Sequence, residues 1–183
     1  MSPEVRKNQS RPDIAPGMTD MRLEALRLAA LGLTNRQIAA RFRITDKGVS
    51  RLHSLSYPGL GVHEKVAAIL TFIDRGVFDL DELVDGFDLQ KFDWLAPHHH
   101  KVLQAMVKDN GGSSDNLSIG RTLRYTTNSV SQRLYEIYKT IDENSRPRTA
   151  VLYLAYQRQQ GQHAISENGG VVFSPAMSLT RGE

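Results

Sequence analysis

The stretch from Leu33 to Val62 constrains this chain most, because its pattern predicts two short helices joined by a tight turn. Thr34 and Thr45 are suited to cap these helices, since a threonine oxygen accepts backbone N–H groups. Apolar residues recur at helical spacing on both sides of the turn, and Ile44 is expected to fill the core beneath it. The second helix is apolar behind and small, polar and basic in front, which suits the major groove of DNA. In this stretch, the residues predicted to contact DNA are Arg36, Thr45, Lys47, Gly48, Ser50, Arg51 and Ser54.

The run from Met18 to Ile73 resembles the LuxR/FixJ-type (GerE-like) helix-turn-helix domain without a gap. Residues that match typical family positions are Met18, Thr19, Leu26, Leu28, Gly32, Leu33, Ile38, Ala39, Val49, Leu60, Gly61 and Val62. Departures from the family pattern are Gly48, Leu52, Ser56, Pro58 and Gly59. Because proline disrupts a helix interior, Pro58 predicts that the second helix ends near Tyr57. The resemblance implies a helix-turn-helix fold and DNA binding, without the phosphate contact of the lysine that the family has at position 59.

Composition narrows the class of protein. The 183 residues include 40% hydrophobic ones, which is enough for one ordinary domain or two small ones. The absence of cysteine excludes disulfides and thiolate metal sites and fits a reducing compartment. No apolar run approaches the roughly 20 residues of a membrane span. The resemblance to LuxR-type domains implies a cytoplasmic, nucleoid-associated protein in a bacterial host cell.

Charge is divided unevenly along the chain. Residues 1–78 carry 12 basic and 7 acidic side chains, a net +5, whereas residues 79–93 carry 1 and 6, a net −5. Residues 94–156 carry 8 basic and 5 acidic side chains, a net +3. Two basic segments therefore flank an acidic one. This division suits a DNA-binding protein with two contact regions, although ordinary surface charge gives the same values.

Prolines, glycines and capping residues predict where the elements of the first basic segment begin and end. Residues 1–17 are rich in proline and polar residues, so we expect a disordered basic arm that is either a leader or a minor-groove contact. Residues 18–76 form the predicted N-terminal LuxR-like domain. Its first helix should begin after Thr19 and end at Gly32, and a fourth helix should run roughly from Glu64 to Arg75.

Residues 77–93 are predicted to be an acidic helical linker. Asp81 is expected to cap a short helix, and Leu83 and Phe92 belong to a set of apolar residues too numerous for a free connection. The segment should therefore pack on one or both of its neighbours. Its carboxylates alternate with apolar residues, which is typical of a solvated helix face and not of a metal-binding loop.

Residues 94–183 repeat the first pattern and are predicted to form a second helix-turn-helix-like domain with a C-terminal tail. Asn116 or Ser118 should begin its first paired helix, and Thr126 or Thr127 should cap the next. The expected buried stripe of that helix is Val130, Leu134, Ile137 and Ile141. Here the residues predicted to contact DNA are Arg121, Thr127, Asn128, Ser129, Ser131, Gln132 and Tyr135. A helical dimerisation or packing domain is the alternative.

The three histidines from His98 to His100 are not expected to bind one metal ion, because adjacent helical residues point about 100° apart. No catalytic set and no phosphate-binding loop is present, so neither an enzyme nor a cofactor is predicted.

The segment from Ala164 to Pro175 contains Asn-Gly-Gly between apolar stretches, which predicts either a β-hairpin or a frayed terminus.

The sequence thus predicts an all-α protein with two small helix-turn-helix domains, a short helical linker and, as an option, a C-terminal β-hairpin. Its organisation resembles the immunity repressors of temperate mycobacteriophages. That resemblance implies a sequence-specific repressor that binds double-stranded operator DNA as a monomer, with both domains on one asymmetric site. The alternatives are an adaptor that binds RNA polymerase or a sigma factor, and a conventional dimeric LuxR-type regulator.

Overall fold

The protein is all-α over the residues that the structure, a computed structural model, describes: Ala15, 17–108 and 115–167, with backbone alone for 162–167. The α-helices are α1 Asp20–Ala30, α2 Asn35–Phe42, α3 Asp46–Leu60, α4 Lys65–Asp74, α5 Leu80–Val84, α6 Pro97–Lys108, α7 Asn116–Leu123, α8 Thr127–Ile141 and α9 Arg146–Glu167. A 3-10 helix, Leu89–Trp94, lies between α5 and α6. None of the described helices combines the length and apolar content needed to cross a membrane.

Local capping signals place most helix starts where the sequence predicts them. Thr19 accepts a hydrogen bond from the backbone N–H of Arg22 and begins α1. Thr45 and Thr126 cap α3 and α8 in the same way. The predicted stripe of α8, from Val130 to Ile141, is buried. These positions agree because a cap and its helix are neighbours in sequence.

The prediction that α3 ends near Tyr57 is wrong. The helix continues through Pro58 to Leu60 and ends at Gly61, which adopts a left-handed conformation. A proline inside a helix costs about 3 kcal/mol through a lost hydrogen bond and a steric clash. Burial of Leu60 offsets that cost, and the backbone N–H of Val62 donates to the Tyr57 carbonyl at 3.2 Å to close the end.

Two other boundary predictions also need correction. Asp79, rather than Asp81, caps α5, because its carboxylate accepts the Asp81 backbone N–H. By contrast, α7 begins at Asn116, one of the two predicted starts, and Asp115 caps it. The first residues of the predicted hairpin, 164–167, belong to α9, and the rest of that segment lies outside the described residues. The proposed N-terminal arm also lies almost entirely outside them.

Helix α9 joins the two halves of the chain into one hydrophobic core. It packs against α1 and α4 of the first half, against α5 and the 3-10 helix of the connector, and against α6 of the second half. Its buried residues are Ala150, Val151, Leu152, Tyr153 and Ala155. The core that they enter is continuous from Leu26 in α1 to Ile141 in α8. The two halves are therefore held together by apolar packing as well as by the connecting chain.

The connector between the halves is part of this core. Phe92 in the 3-10 helix is fully buried, and its ring centroid lies 5.5 Å from that of Tyr153 and 5.3 Å from that of Tyr156, both on α9. Leu83 in α5 is also buried, and its carbonyl accepts a hydrogen bond from the Arg148 guanidinium. The acidic residues of the segment face outward while its apolar residues fix α9.

Candidate nucleic-acid interface

The first helix pair, α2–α3, is built around a tight turn with satisfied helix ends. Thr34 and Gln37 form a reciprocal capping box at the start of α2. Arg43 adopts a left-handed conformation, φ +55°, and reverses the chain before Thr45 caps α3. The turn therefore presents the start of α3 at the surface, where predicted contact residues lie.

Ile44 does not fill the core beneath this turn, contrary to the sequence prediction. Its side chain is 36% exposed and lies over Gly48. A Cβ added to Gly48 would lie 3.3 Å from the Ile44 Cδ1. The left-handed Arg43 directs the next residue to the side of the turn. Gly48, a predicted DNA contact, thus provides the close approach that accommodates Ile44.

A hydrogen-bond network joins three helices around α3. The side-chain amide of Asn35, the first residue of α2, donates to the Ser50 Oγ at 3.0 Å. The Lys65 ammonium at the start of α4 donates to the Asn35 Oδ1 at 3.1 Å. Burial lowers the pKa of Lys65, which fits its place inside this network. The Ser50 hydroxyl also donates to the Asp46 carbonyl, so Ser50 fixes α3 against α2.

The second helix pair, α7–α8, has the same network. Asn116, the first residue of α7, donates to the Ser131 Oγ at 2.6 Å, and Arg146 at the start of α9 donates to the Asn116 Oδ1. The Ser131 hydroxyl donates to the Thr127 carbonyl. In both pairs the asparagine and serine lie 15 residues apart, and the asparagine and the cation 30. The repeat in sequence is thus a repeat in side-chain contacts.

The outer face of α3 presents cationic side chains. Lys47 and Arg51 are exposed, and no hydrogen bond or ion pair joins either side chain to another described residue. Ser54 is also exposed, but its hydroxyl donates to the Arg51 carbonyl. Arg36 is exposed on α2, beside the start of α3. The predicted residues of this pair therefore divide into exposed cations and side chains that hold the local structure.

The outer face of α8 presents neutral polar and aromatic side chains instead. Thr127, Asn128 and Tyr135 are exposed, Tyr135 to 67%. The Ser129 hydroxyl accepts one hydrogen bond from the Thr126 hydroxyl, and Gln132 donates to the Glu136 Oε1 at 3.2 Å. The last predicted residue is Arg121, which is exposed on α7. The equivalent surfaces of the two pairs thus differ in charge.

Sequence reasoning missed four residues that hold or flank these faces. Asn35 and Asn116 bridge the helices of each pair, as described above. Arg43 and Arg124 occupy the same place in the two turns, both exposed and both left-handed, with φ +55° and +57°. A non-glycine residue in this conformation is uncommon, and its occurrence twice as arginine places a positive charge beside each outer face. Aligning the two copies at a constant offset reveals all four.

Comparison of the sequence with protein-family profiles and with curated proteins, and of the structure with solved structures, finds no match. The repeated network and the chemistry of the two exposed faces are therefore the features of the molecule that bear on its function.

Proposed function

We propose that this protein is a sequence-specific transcriptional repressor that binds double-stranded DNA through two helix-turn-helix units, α2–α3 and α7–α8. The observation that carries the proposal is the network of asparagine, serine and a cation that occurs in both pairs. Such a network fixes the second helix of each pair on its scaffold and leaves its outer face open. A rigid helix with an exposed polar face suits entry into a major groove.

Base reading is assigned to the exposed outer faces. Lys47 and Arg51 on α3 suit guanine, since both side chains donate to its O6 and N7 acceptors. Asn128 and Gln132 on α8 suit adenine, whose N6 and N7 pair with a side-chain amide. Tyr135 supplies apolar contact or a further hydrogen bond on the same face. The two units therefore read different sequences, and a site bound by both is asymmetric.

Phosphate contacts are assigned to the cations that flank these faces. Arg36 and Arg43 lie beside α3, and Arg121 and Arg124 lie beside α8, all four of them exposed. Phosphate contacts position a protein on DNA and make its affinity depend on salt. Gly59 stands where LuxR-type domains have a lysine, so the first unit lacks one phosphate contact. Arg36 and Arg43 compensate for this loss.

The two units are proposed to act as one body on one site. Their shared core around α9 supports this, because it fixes the two outer faces relative to each other. A single chain then needs no two-fold partner to span two groove segments. This organisation resembles the immunity repressors of temperate mycobacteriophages. We accordingly propose a monomeric repressor in the cytoplasm of a bacterial host, with operator DNA as its partner and without a cofactor or an enzymatic activity.

Binding-site selection from random double-stranded DNA with the full chain tests the function. We expect enrichment of one asymmetric sequence. The logarithm of its affinity should fall linearly with the logarithm of salt concentration, with a slope of about −0.9 for each phosphate that the protein neutralises. A palindromic consensus would indicate a conventional dimeric regulator. If no sequence is enriched and no DNA is retained at low salt, the repressor proposal fails. Capture of RNA polymerase or a sigma factor would then support the adaptor.

A further inference from the structure

A group of metal-binding side chains lies where the start of α6 meets α8. His98 and His99 are in the first turn of α6, and Glu136 is on α8. One possible ligand atom from each of the three lies within 4.8 Å of the other two. The His99 Nε2 is 3.0 Å from the Glu136 Oε2. Residues that are distant in sequence are thus brought together with chemistry suited to a cation.

The third histidine does not belong to this group. His100 faces α9, where its Nδ1 lies 3.2 Å from the Tyr153 hydroxyl. Adjacent helical residues point about 100° apart, and His100 accordingly lies away from the other two histidines. Glu136, from another helix, completes a set of three without His100.

From this arrangement we propose that His98, His99 and Glu136 bind one divalent transition-metal ion of the zinc type. Two imidazole nitrogens and a carboxylate oxygen favour Zn²⁺, Co²⁺ or Ni²⁺ over Mg²⁺ and Ca²⁺, which prefer oxygen ligands. Three protein ligands leave a fourth tetrahedral position for water. The ion takes the place of the hydrogen bond between His99 and Glu136 and ties α6 to α8.

The geometry needs only a small adjustment to reach coordination. Ligand atoms about 2.0–2.1 Å from a tetrahedral zinc lie roughly 3.3 Å apart, so the widest separation must close by about 1.5 Å. His98 is exposed, and rotation of its side chain supplies this movement. Gln132 holds the other Glu136 oxygen at 3.2 Å, as an outer hydrogen-bond partner of a metal ligand would.

The neighbouring charges are compatible with a cation. Arg133 is the adverse group, since its charge acts on His98. Its guanidinium, however, is held elsewhere: it lies 4.3 Å from the Tyr125 ring centroid and donates to the Ser129 carbonyl at 3.1 Å. The Glu136 carboxylate neutralises part of the charge of the ion, and solvent and salt at the surface screen the charge that remains.

The test uses the full chain without an affinity tag, titrated with Zn²⁺ by calorimetry and with Co²⁺ by visible absorption. We expect saturable binding of one ion per chain and the intense d–d bands of tetrahedral Co²⁺. Excess Zn²⁺ should also raise the thermal midpoint, because the ion binds the native state. His98→Ala should weaken Zn²⁺ binding by more than about 10-fold and abolish the rise.

Matched variants separate metal binding from folding. His98 makes no hydrogen bond with another described residue, so His98→Ala should leave the metal-free thermal midpoint unchanged. Glu136→Gln keeps a hydrogen-bonding side chain of the same shape and should also weaken Zn²⁺ binding. His63→Ala, at an exposed histidine outside the group, should bind Zn²⁺ as the unaltered chain does. No saturable binding, or an isotherm that His98→Ala leaves unchanged, would overturn the proposal whether or not the protein binds DNA.

Discussion

Arg148 packs against Gly32, so that a Cβ on Gly32 would lie 3.4 Å from the Arg148 Cγ. The contact joins the loop after α1 to the start of α9 and thus links the two halves of the chain. Beyond it the guanidinium donates to the Leu83 carbonyl, and its Nε lies 3.8 Å from the Glu143 carboxylate. One buried cation therefore ties together the first half, the connector and the second half.

Arg148→Met should lower the free energy of unfolding by about 2–4 kcal/mol, because it leaves the Leu83 carbonyl and the Glu143 carboxylate without their buried partner. Burial lowers the pKa of Arg148, and Glu143 opposes that shift, as expected for a cation held by its pair. Urea denaturation measures the loss. Arg158→Met on the same helix is the control: its pair with Asp74 is half-exposed, so it should cost at most about 1 kcal/mol. Equal losses for the two variants would contradict the role given to Arg148.

His53 should make the protein less stable in acid. Burial, and to a lesser extent the Lys65 charge, lowers its pKa from 6.5 to about 4. Between these values the unfolded chain binds more protons than the native one, so stability falls as the pH falls from about 6.5 to about 4. The expected loss over this window is about 3 kcal/mol, measured by urea denaturation at several pH values.

His53→Leu tests this assignment, because Leu134 occupies the equivalent buried position in the second half. The variant should lose the pH dependence within that window while retaining the steeper change at lower pH from carboxylates. Leucine leaves the Ala25 carbonyl, which lies 3.2 Å from the His53 Nε2, without that partner. A constant loss of about 1–3 kcal/mol at all pH values is therefore expected as well. An unchanged pH profile would show that another group causes the acid sensitivity.

Gly120→Ala should destabilise the second helix pair. A Cβ there would lie 2.7 Å from the Tyr125 carbonyl oxygen, which belongs to the turn backbone and is held in place. Relieving that overlap should cost about 1–3 kcal/mol. Gly161→Ala in α9 has open space and a helical backbone, so it should raise stability by about 0.5–1 kcal/mol. Thermal unfolding of the two variants should therefore shift in opposite directions.

Sequence alone predicts what depends on neighbouring residues and misses what depends on tertiary packing. The caps Thr19, Thr45 and Thr126 and the buried stripe of α8 follow from spacing within a few turns. Continuation of α3 through Pro58 does not, because burial of Leu60 in the shared core outweighs the local cost. Burial of Phe92 is expected from the apolar content of its segment, but its contact with Tyr153 is not, because it joins residues far apart in the chain.

The candidate site shows the same division. Exposure of Lys47, Arg51 and Asn128 follows from the amphipathic pattern of each helix. That Ser50 and Ser131 are already hydrogen-bonded to asparagines does not follow from either pattern alone. It becomes visible only when the two copies are aligned, because a residue pair repeated at constant spacing indicates a repeated contact.

Arg51→Ala should weaken binding to the selected DNA by about 1–3 kcal/mol and relax the preference for one base. The reason is that an exposed arginine on the groove-facing helix donates two hydrogen bonds to guanine in the proposed complex. Arg75→Ala removes the same charge at the exposed end of α4, outside both faces, and should lose only a small amount on all sequences. Fluorescence anisotropy with the selected site and single-base variants measures both. An equal loss on every sequence would assign Arg51 to a phosphate.

Lys47→Ala and Asn128→Ala, which alter equivalent positions on α3 and α8, should each weaken binding to one asymmetric site. Their free-energy losses should add to within about 0.5 kcal/mol in the double variant, because the two faces contact separate base pairs. Single substitutions suit this test better than cutting the chain near Asp88, since the halves share a core and a cut would expose Phe92. Light scattering of the complex should give one chain per site. If Asn128→Ala has no effect, or if two chains bind a palindrome, α8 does not read DNA beside α3 within one chain.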